Sequence, residues 1–277
     1  MDKLKSTKLE LAKSLGISRA MLYYQPKKPA KDLATKESIL SVLKDNQAYG
    51  HKRIAFELKA NKKKILRVMK KFDIKPFRRR IKRLRKKDDE NQPASVFPNL
   101  IKGICPIRPN VIWASDFSYL AFQGYFVFLA SIKDIFTREI VGWSIATAHD
   151  AQLVIDALIN ALGNTKTKPD YHHSDQGSEY KSEDYLNILK TNNIKISMSK
   201  KASPYENAFK ESFYSHFKLE LGDVNRFNNL GELTEAISQA IYYYNNKRIH
   251  TKLKMSPMKF KEQYFLKVTN QSLRQTV

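Results

Sequence analysis

The sequence predicts an α/β core that is preceded by an all-helical, basic arm. After residue 106, segments rich in β-branched and aromatic residues alternate with helix-like segments, in the order strand, strand, strand, helix, strand, helix, strand, helix. Residues 1–76 instead show helical spacing of apolar residues, interrupted by glycine. Residues 1–90 hold 28 of the 50 Lys and Arg residues against 10 Asp and Glu, and so carry +18 of the net charge of +23. A basic arm beside a nearly neutral core suits a polyanion that one part holds and the other part acts on.

The first part of the arm, residues 7–24, has the spacing of a helix-turn-helix. Leu11 and Leu15 keep helical spacing, Gly16 interrupts it, and Ser18 can cap a second helix. In such a motif the second helix enters the major groove of DNA, so Arg19 near its start is a candidate DNA contact. An ordinary helical hairpin is the alternative.

Three further helices are expected in the arm, over residues 35–44, 54–59 and 62–72. The last one has an apolar face of Ile65, Val68 and Met69, and lysines and arginines cover the rest of its surface. This profile is typical of a helix that faces DNA, and a merely solvated basic face is the alternative. The candidate DNA contacts in this part of the arm are Arg53, Lys63, Arg67 and Lys70.

Residues 77–105 are expected to form a basic linker. The run RRRIKRLRKK has eight basic residues in ten, and Arg79 and Arg83 within it are candidate DNA contacts. The linker ends at Cys105, the single cysteine, so an intramolecular disulfide is excluded and a reducing compartment fits. No apolar run has the length of a signal peptide or a membrane span, and we therefore expect a cytoplasmic protein that does not use a membrane.

The predicted core covers residues 106–222. Its first three strands are expected to form an antiparallel meander over residues 111–113, 125–132 and 139–147. The elements that follow are a helix over 151–162, a strand over 169–173, a helix over 182–191, a strand over 195–199 and a helix that contains Glu211. Residues 223–277 are expected to add a helix over 230–244 and a basic tail.

Three acidic residues of the core are candidate catalytic residues. Asp116 follows the first strand-like stretch, Asp175 lies at the end of the fourth, and Glu211 lies in a helix. Carboxylates from two strands and a helix can hold two hard divalent cations. Such cations, about 3.5–4 Å apart, can clamp the attacking and leaving oxygens of a phosphodiester displacement. A single acidic residue would be read as a surface charge, but three in these contexts favour a metal site.

Six ordered sequence motifs carry a resemblance to a known family. They are AYGHKRIAFEL, WASDFSYL, SIKDIFTREIVGWS, HSDQGSEY, SMSKKASPYENAFKESF and YYNNKRIHTKLKMSP. Together they resemble the DDE transposases and integrases of the retroviral-integrase superfamily, and most closely the OrfB-type transposases of the insertion-sequence-three family. The resemblance implies an RNase H-like core in which Asp116, Asp175 and Glu211 are both catalytic residues and metal ligands. The implied cofactor is Mg²⁺, two ions in the active complex, with Mn²⁺ as a substitute.

The resemblance also implies roles for residues around the three acids. His173 and Asn207 are expected to support the metal ligands from behind, with packing at a strand end as the alternative for His173. Lys218 is a candidate contact to a phosphate of the scissile strand; the alternative is that its side chain is simply solvated. Arg248 and His250 in the tail are expected either to contact DNA or to brace the core. Glu179 stands where the family commonly has glutamine, which does not affect the three acids.

The activity implied is that of a DNA transposase, which cleaves the ends of an insertion element and joins the freed 3′-OH to DNA. The implied partners are double-stranded DNA with terminal inverted repeats, target DNA and further copies of the chain, with a protein from an upstream reading frame as an additional candidate. Two alternatives stay open at this point: a catalytically silent DNA-binding regulator, and an RNase H-like nuclease without strand transfer. The complete set of three acids argues against the first, and the helix-turn-helix and tail motifs argue against the second.

Overall fold

The computed structural model describes residues 8–23, 27–77, 97–199 and 208–275. The chain divides into two units, Met1–Pro76 and Phe77–Val277, and each is described here by itself. Arg79, Arg83 and Asn207, which the sequence analysis singled out, lie outside the described residues.

The first unit is helical, as predicted. Its helices are α1 (Lys8–Ser14), α2 (Lys27–Asp45), α3 (His51–Glu57) and α4 (Lys62–Lys71). Helix α4 begins at an Asn61 cap, whose side chain accepts a hydrogen bond from the Lys63 N–H. Apolar residues of α2, α3 and α4 meet in a small core that contains Ile39, Ile54 and Ile65. Helices α3 and α4 are joined by a tight turn in which Lys59 adopts a positive φ of 48°.

The prediction of a second helix after Ser18 is wrong for the described residues. The structure has a 3₁₀ turn over Arg19–Tyr23, which begins with a hydrogen bond from the Met21 N–H to the Ser18 carbonyl. The Met21 side chain in this turn is 60% exposed, and Leu22 is only partly buried. A short turn with so little buried apolar surface gains little packing energy from extension into a longer helix. Among the described residues of the arm, α3 and α4 form a pair of helices joined by a tight turn.

The second unit is built on a five-stranded mixed sheet, which confirms the predicted α/β class. Its strands are β1 (Ile112–Phe122), β2 (Tyr125–Asp134), β3 (Ile140–Ala146), β4 (Tyr171–Ser174) and β5 (Lys195–Met198). The spatial order is β3-β2-β1-β4-β5. Strands β1 to β3 pair antiparallel as the expected meander, and β4 is parallel to both β1 and β5.

Strand β1 is longer than the sequence suggested. Its turn into β2 consists of Gln123 and Gly124, both at positive φ, which is the geometry of a tight hairpin that continues the twist of the two strands. The hairpin lengthens β1 to Phe122, so Asp116 lies in the middle of a strand. The sequence analysis placed Asp116 after the strand, and the structure corrects this.

Helices cover both faces of the sheet. Helices α5 (Ala151–Asn164) and α6 (Glu183–Thr191) pack on one face, and α7 (Ala208–Leu221) and α8 (Leu230–Asn246) pack on the other. The close approach of α5 to β3 requires Gly142, because a Cβ atom there would lie 2.5 Å from the Ala157 carbonyl oxygen.

A further helix, α9 (Pro257–Gln275), was not expected, because the sequence reading left this stretch as a polar tail. Its start carries a recognisable signal: the Ser256 hydroxyl accepts from the Lys259 N–H, and Pro257 occupies the first helical position. Lys261 of α9 bonds Glu139 at 2.8 Å and ties the helix to the sheet end. Among the described helices, none is long and apolar enough to cross a membrane.

Candidate active site

Two of the three predicted acids follow the paired part of β1 and β4. The parallel pairing of β1 with β4 ends at Ala114 opposite His173. Asp116 follows two residues later on β1, and Asp175 follows two residues later in the loop after β4; the charges of both residues act on Tyr180. Neighbouring strands are about 4.8 Å apart, so the strand register brings two carboxylates to the C-terminal end of β4.

The loop after β4 fixes the Asp175 side chain. Its Oδ1 accepts a hydrogen bond from the Gly177 N–H at 3.0 Å. A Cβ atom at position 177 would clash with Oε2 of Glu179 and would lie 3.1 Å from Asp175 Oδ1. A side chain at this position would therefore force the Glu179 carboxylate to move.

Helix α7, which carries the third acid, is anchored to the strand of Asp116 by Tyr214. The Tyr214 hydroxyl donates to the Asp116 carbonyl oxygen at 2.7 Å and lies 2.7 Å from the Ser131 hydroxyl. Glu211 lies one turn before Tyr214 on α7, at a part of the helix whose side chains are outside the described residues. The sequence analysis missed Tyr214, because its partners lie far away in sequence and leave no local pattern.

Neutral phenols surround Asp116. Burial, and then the charge of Asp116, raise the pKa of Tyr180 and of Tyr214 well above the usual value for tyrosine. Both groups therefore keep their protons at neutral pH. The Ser115 hydroxyl lies 3.2 Å from that of Tyr180. The floor of the site thus offers hydroxyl groups rather than extra negative charge.

The two histidines before Asp175 are fully buried in hydrogen-bond networks. Nδ1 of His173 lies 2.9 Å from the Ser197 hydroxyl, which also accepts from the Leu100 N–H. Nε2 of His172 lies 2.6 Å from the Tyr185 hydroxyl. These contacts tie β4 to β5 and to α6, and they would hold the Asp175 loop from behind.

A second pair near Asp175 was also missed by the sequence analysis. Nε2 of His149 lies 2.9 Å from Oε1 of Glu179, a residue that is 7% exposed. The pair joins the loop after Asp175 to the residue that precedes the cap of α5. No local signal could have revealed it, since the two residues belong to separate loops.

The predicted DNA contacts of the arm have different surroundings. Lys63 and Lys70 are exposed on α4. Arg67 and Lys71 bind the buried Asp32 of α2, and these bonds hold the pKa of Asp32 well below its usual range. The guanidinium of Arg53 lies 5.6 Å from the centre of the Tyr49 ring, and the side chain of Arg19 is outside the described residues.

The predicted contacts of the second unit are held by protein groups. Nζ of Lys218 donates to the Tyr119 carbonyl oxygen at 2.6 Å. Arg248 is 2% exposed and its Nε lies 2.5 Å from Oε1 of Glu220, which favours the bracing role over a DNA contact. The His250 N–H donates to the Met255 carbonyl in an isolated β-bridge.

The described residues contain no group of three His, Cys, Asp or Glu side chains that could hold a metal ion. They do place Asp116 and Asp175, two of the three predicted ligands, near the same residue, Tyr180. Both are hard oxygen donors of the kind that Mg²⁺ prefers.

Comparisons with known proteins agree with this architecture. Two family models described as "Integrase core domain" match residues 106–204 and 192–257. The InsK protein of insertion sequence element IS150 from Escherichia coli (strain K12) is 31% identical over 271 residues, which cover 93% of this chain and 94% of that protein. The transposase for insertion sequence element IS904 from Lactococcus lactis subsp. lactis (strain IL1403) is 38% identical over 170 residues, 60% of this chain and 67% of that protein.

A solved structure shares the fold. The simian T-cell lymphotropic virus intasome, in complex with PP2A regulatory subunit B56 gamma, superposes with a TM-score of 0.52 at 14% identity, over 80% of this chain and 74% of that one. The two family models together match residues 106–257, and the match to InsK runs through nearly the whole chain. The chain therefore belongs to the insertion-sequence-three family of transposases within the retroviral-integrase superfamily, and it is an enzyme that acts on DNA.

Proposed function

We propose that the chain cleaves the ends of its insertion element and joins the freed 3′-OH to DNA, with Asp116, Asp175 and Glu211 as the catalytic carboxylates. The observation that carries this proposal is the parallel pairing of β1 with β4, which ends two residues before Asp116 on one strand and two residues before Asp175 on the other. The anchoring of α7 to the Asp116 carbonyl through Tyr214 supports the place of Glu211 in the same site.

The donor set fits Mg²⁺, with Mn²⁺ as a substitute. Asp116 is proposed to bridge two ions, with Asp175 as a ligand of one and Glu211 of the other. Two bound ions would supply charge stabilisation at the attacking and the leaving oxygen. The protein itself supplies position: the pairing of β1 with β4 places two carboxylates, and the Gly177 N–H fixes the orientation of Asp175.

The surrounding phenols suit this chemistry. Tyr180 and Tyr214 remain neutral, so they donate hydrogen bonds without repelling a phosphate group. Asp116 on β1 and Asp175 after β4 bring two negative charges to the candidate site. Their mutual repulsion would be relieved when cations bind.

The basic arm is proposed to hold DNA while the core acts on it. The exposed lysines of α4 and the +18 charge of residues 1–90 support this division. The family resemblance supports a copy-out route through a circular intermediate, with both element ends bound by a multimer. It is also compatible with a partner protein from an upstream reading frame. Since the matched relatives are bacterial, the proposed compartment is the bacterial cytoplasm.

A cleavage assay on labelled element ends in Mg²⁺ tests the proposal. Asp116→Asn, Asp175→Asn and Glu211→Gln should each abolish cleavage and joining and leave DNA binding intact. Asp156→Asn is the matched control, because Asp156 is exposed on α5 and accepts a hydrogen bond from Gln152 of the same helix.

The outcomes separate the alternatives. Near-normal turnover by any of the three variants would show that the assigned site is wrong. Cleavage without joining by the wild-type protein would identify a nuclease, and binding without cleavage would identify a regulator.

A further inference from the structure

An exposed aromatic surface lies on the β1–β2 hairpin, beside the candidate active site. Tyr119 is 56% exposed and Phe126 is 52% exposed. Their rings meet edge to face with centroids 5.2 Å apart. Tyr119 follows Asp116 by three residues on β1, a distance of about 10 Å along the strand. We call these two residues, with Phe128, His149 and Phe117 behind them, the hairpin aromatic surface.

The hairpin aromatic surface is continuous with the active-site loop. Phe128 lies 6.5 Å from Phe126 and stacks on His149 at 5.1 Å. His149 in turn lies 4.4 Å from Phe117, the neighbour of Asp116. Because Nε2 of His149 also bonds Glu179, aromatic rings connect the segment that follows Asp175 with the hairpin tip.

The fold does not require large rings at the exposed end of this path. The opposite face of the hairpin is buried against α7 and α8, through Leu120, Phe122 and Val127. Tyr119 and Phe126 alternate with these residues and point to the other face, beyond the start of α5. A strand position that faces water is ordinarily polar, so exposed aromatic residues here indicate a binding surface.

A fixed cation at the edge of this surface indicates the chemistry of the partner. Nζ of Lys218 donates to the Tyr119 carbonyl at 2.6 Å and lies 4.8 Å from the centre of the Tyr119 ring. An aromatic ring beside a cation matches a nucleotide, whose base stacks while its phosphate lies near the charge. A protein partner would make no use of this charge unless it were acidic.

We propose that the hairpin aromatic surface binds unpaired nucleotides of a DNA strand next to the active site, with bases stacked on Tyr119 and Phe126 and a phosphate near Lys218. Such stacking tolerates any base, so it would hold a frayed or cleaved end without reading its sequence. The inference rests on the proposed function only in that DNA must reach Asp116 and Asp175.

The test compares a blunt duplex with the same duplex carrying a single-stranded tail that contains 2-aminopurine. The full-length protein carries Asp116→Asn, so that binding is measured without cleavage. We expect tighter binding of the tailed duplex and quenching of the 2-aminopurine fluorescence. Tyr119→Ala and Phe126→Ala should each weaken tail binding about tenfold, or about 1.4 kcal/mol, and leave blunt-duplex binding unchanged.

Two control variants complete the test. Tyr119→Phe keeps the ring and should retain tail binding. Tyr242→Ala removes a ring that is 61% exposed on α8 and should change nothing. Tyr119→Ala and Phe126→Ala replace side chains that are about half exposed, so their thermal unfolding should stay close to that of the parent protein.

Three results would overturn the proposal. The first is equal binding of the blunt and tailed duplexes by the parent protein. The second is an equal loss of affinity for both duplexes in the alanine variants. The third is a change in oligomeric mass with unchanged tail affinity, which would assign the surface to a second copy of the chain. Failure of the proposed function would show separately, as absent cleavage by the wild-type protein despite normal tail binding.

Discussion

Tyr214→Phe tests whether one hydroxyl group positions α7 against the catalytic strand. That hydroxyl lies 2.7 Å from both the Asp116 carbonyl oxygen and the Ser131 hydroxyl, in a side chain that is 7% exposed. The substitution keeps the ring and its contact with Phe213, whose centroid is 5.0 Å away. The change therefore removes hydrogen bonds and leaves the apolar packing in place.

The expected loss of stability follows from the burial of these groups. Removing one partner from a buried hydrogen bond costs about 1–3 kcal/mol. For a unit of this size each kcal/mol lowers Tm by about 2–4 °C, so we expect Tm to fall by roughly 5 °C. A shift of α7 relative to Asp116 should also lower the cleavage rate, by about 100-fold if the displacement approaches 1 Å.

The assay measures single-turnover cleavage of element ends over a Mg²⁺ series, well below the Tm of every variant. A positioning role predicts that Tyr214→Phe needs more Mg²⁺ for half-maximal rate, while DNA binding is unchanged. Thr137→Val is the matched control, because its buried hydroxyl donates to Asp134 and accepts from the Glu139 N–H between β2 and β3, away from the catalytic carboxylates. It should lose similar stability and keep the parental Mg²⁺ requirement.

A specific result would refute this reasoning. If Tyr214→Phe loses stability but keeps the rate and Mg²⁺ dependence of the parent, the hydroxyl stabilises the fold without positioning the site. If Thr137→Val shows the same shift in Mg²⁺ dependence, the effect follows from general loosening of the core.

Three further predictions concern charge. Binding of duplex DNA by the full chain should weaken by about three decades between 50 and 200 mM salt if the arm neutralises six phosphates, and a flat response would contradict the role of the arm. Burial, and then Arg138 and Arg248, lower the pKa of Lys133 to about 7. The buried charge is thus destabilising below that pH, and Lys133→Met should raise the free energy of unfolding at pH 7. This gain should shrink by about 1.4 kcal/mol for each pH unit as the pH rises towards 10. A gain that does not depend on pH would contradict this. Arg248→Met should cost about 3–5 kcal/mol in chemical denaturation, because it leaves Glu220 without its partner, and adding Glu220→Leu should recover part of the loss; an unchanged midpoint would contradict the bracing role.

The sequence predicted the core fold because each strand carries its own signal. Alternating apolar residues and turn residues such as Gly124 mark strand ends locally. The arm was harder, since the segment after Ser18 has a capping residue and apolar residues, but Met21 is exposed and the described helical turn is short, and capping alone does not sustain a helix. Helix α9 was missed because its basic residues hid a start signal at Ser256 and Pro257.

The site could be predicted only in part, for a related reason. Asp116 and Asp175 each follow from a local motif, but the sequence did not show that Asp116 lies in the middle of β1. The position of Asp116 relative to Asp175 depends on the register of β1 against β4, which cannot be read from the sequence. Tyr214, and the pair of His149 with Glu179, depend on contacts between distant segments, so no spacing in the chain reveals them.

Calorimetric titration of Mn²⁺ tests the central claim most directly, which is that Asp116, Asp175 and Glu211 hold the ions for DNA strand transfer. Close carboxylates repel one another, and the second ion also needs phosphate oxygens. The account predicts at most one tightly bound ion in the free protein, stronger and additional binding with element-end duplex, and loss of both in Asp116→Asn. Two equally tight ions without DNA, or equal binding by the wild type and Asp116→Asn, would contradict it.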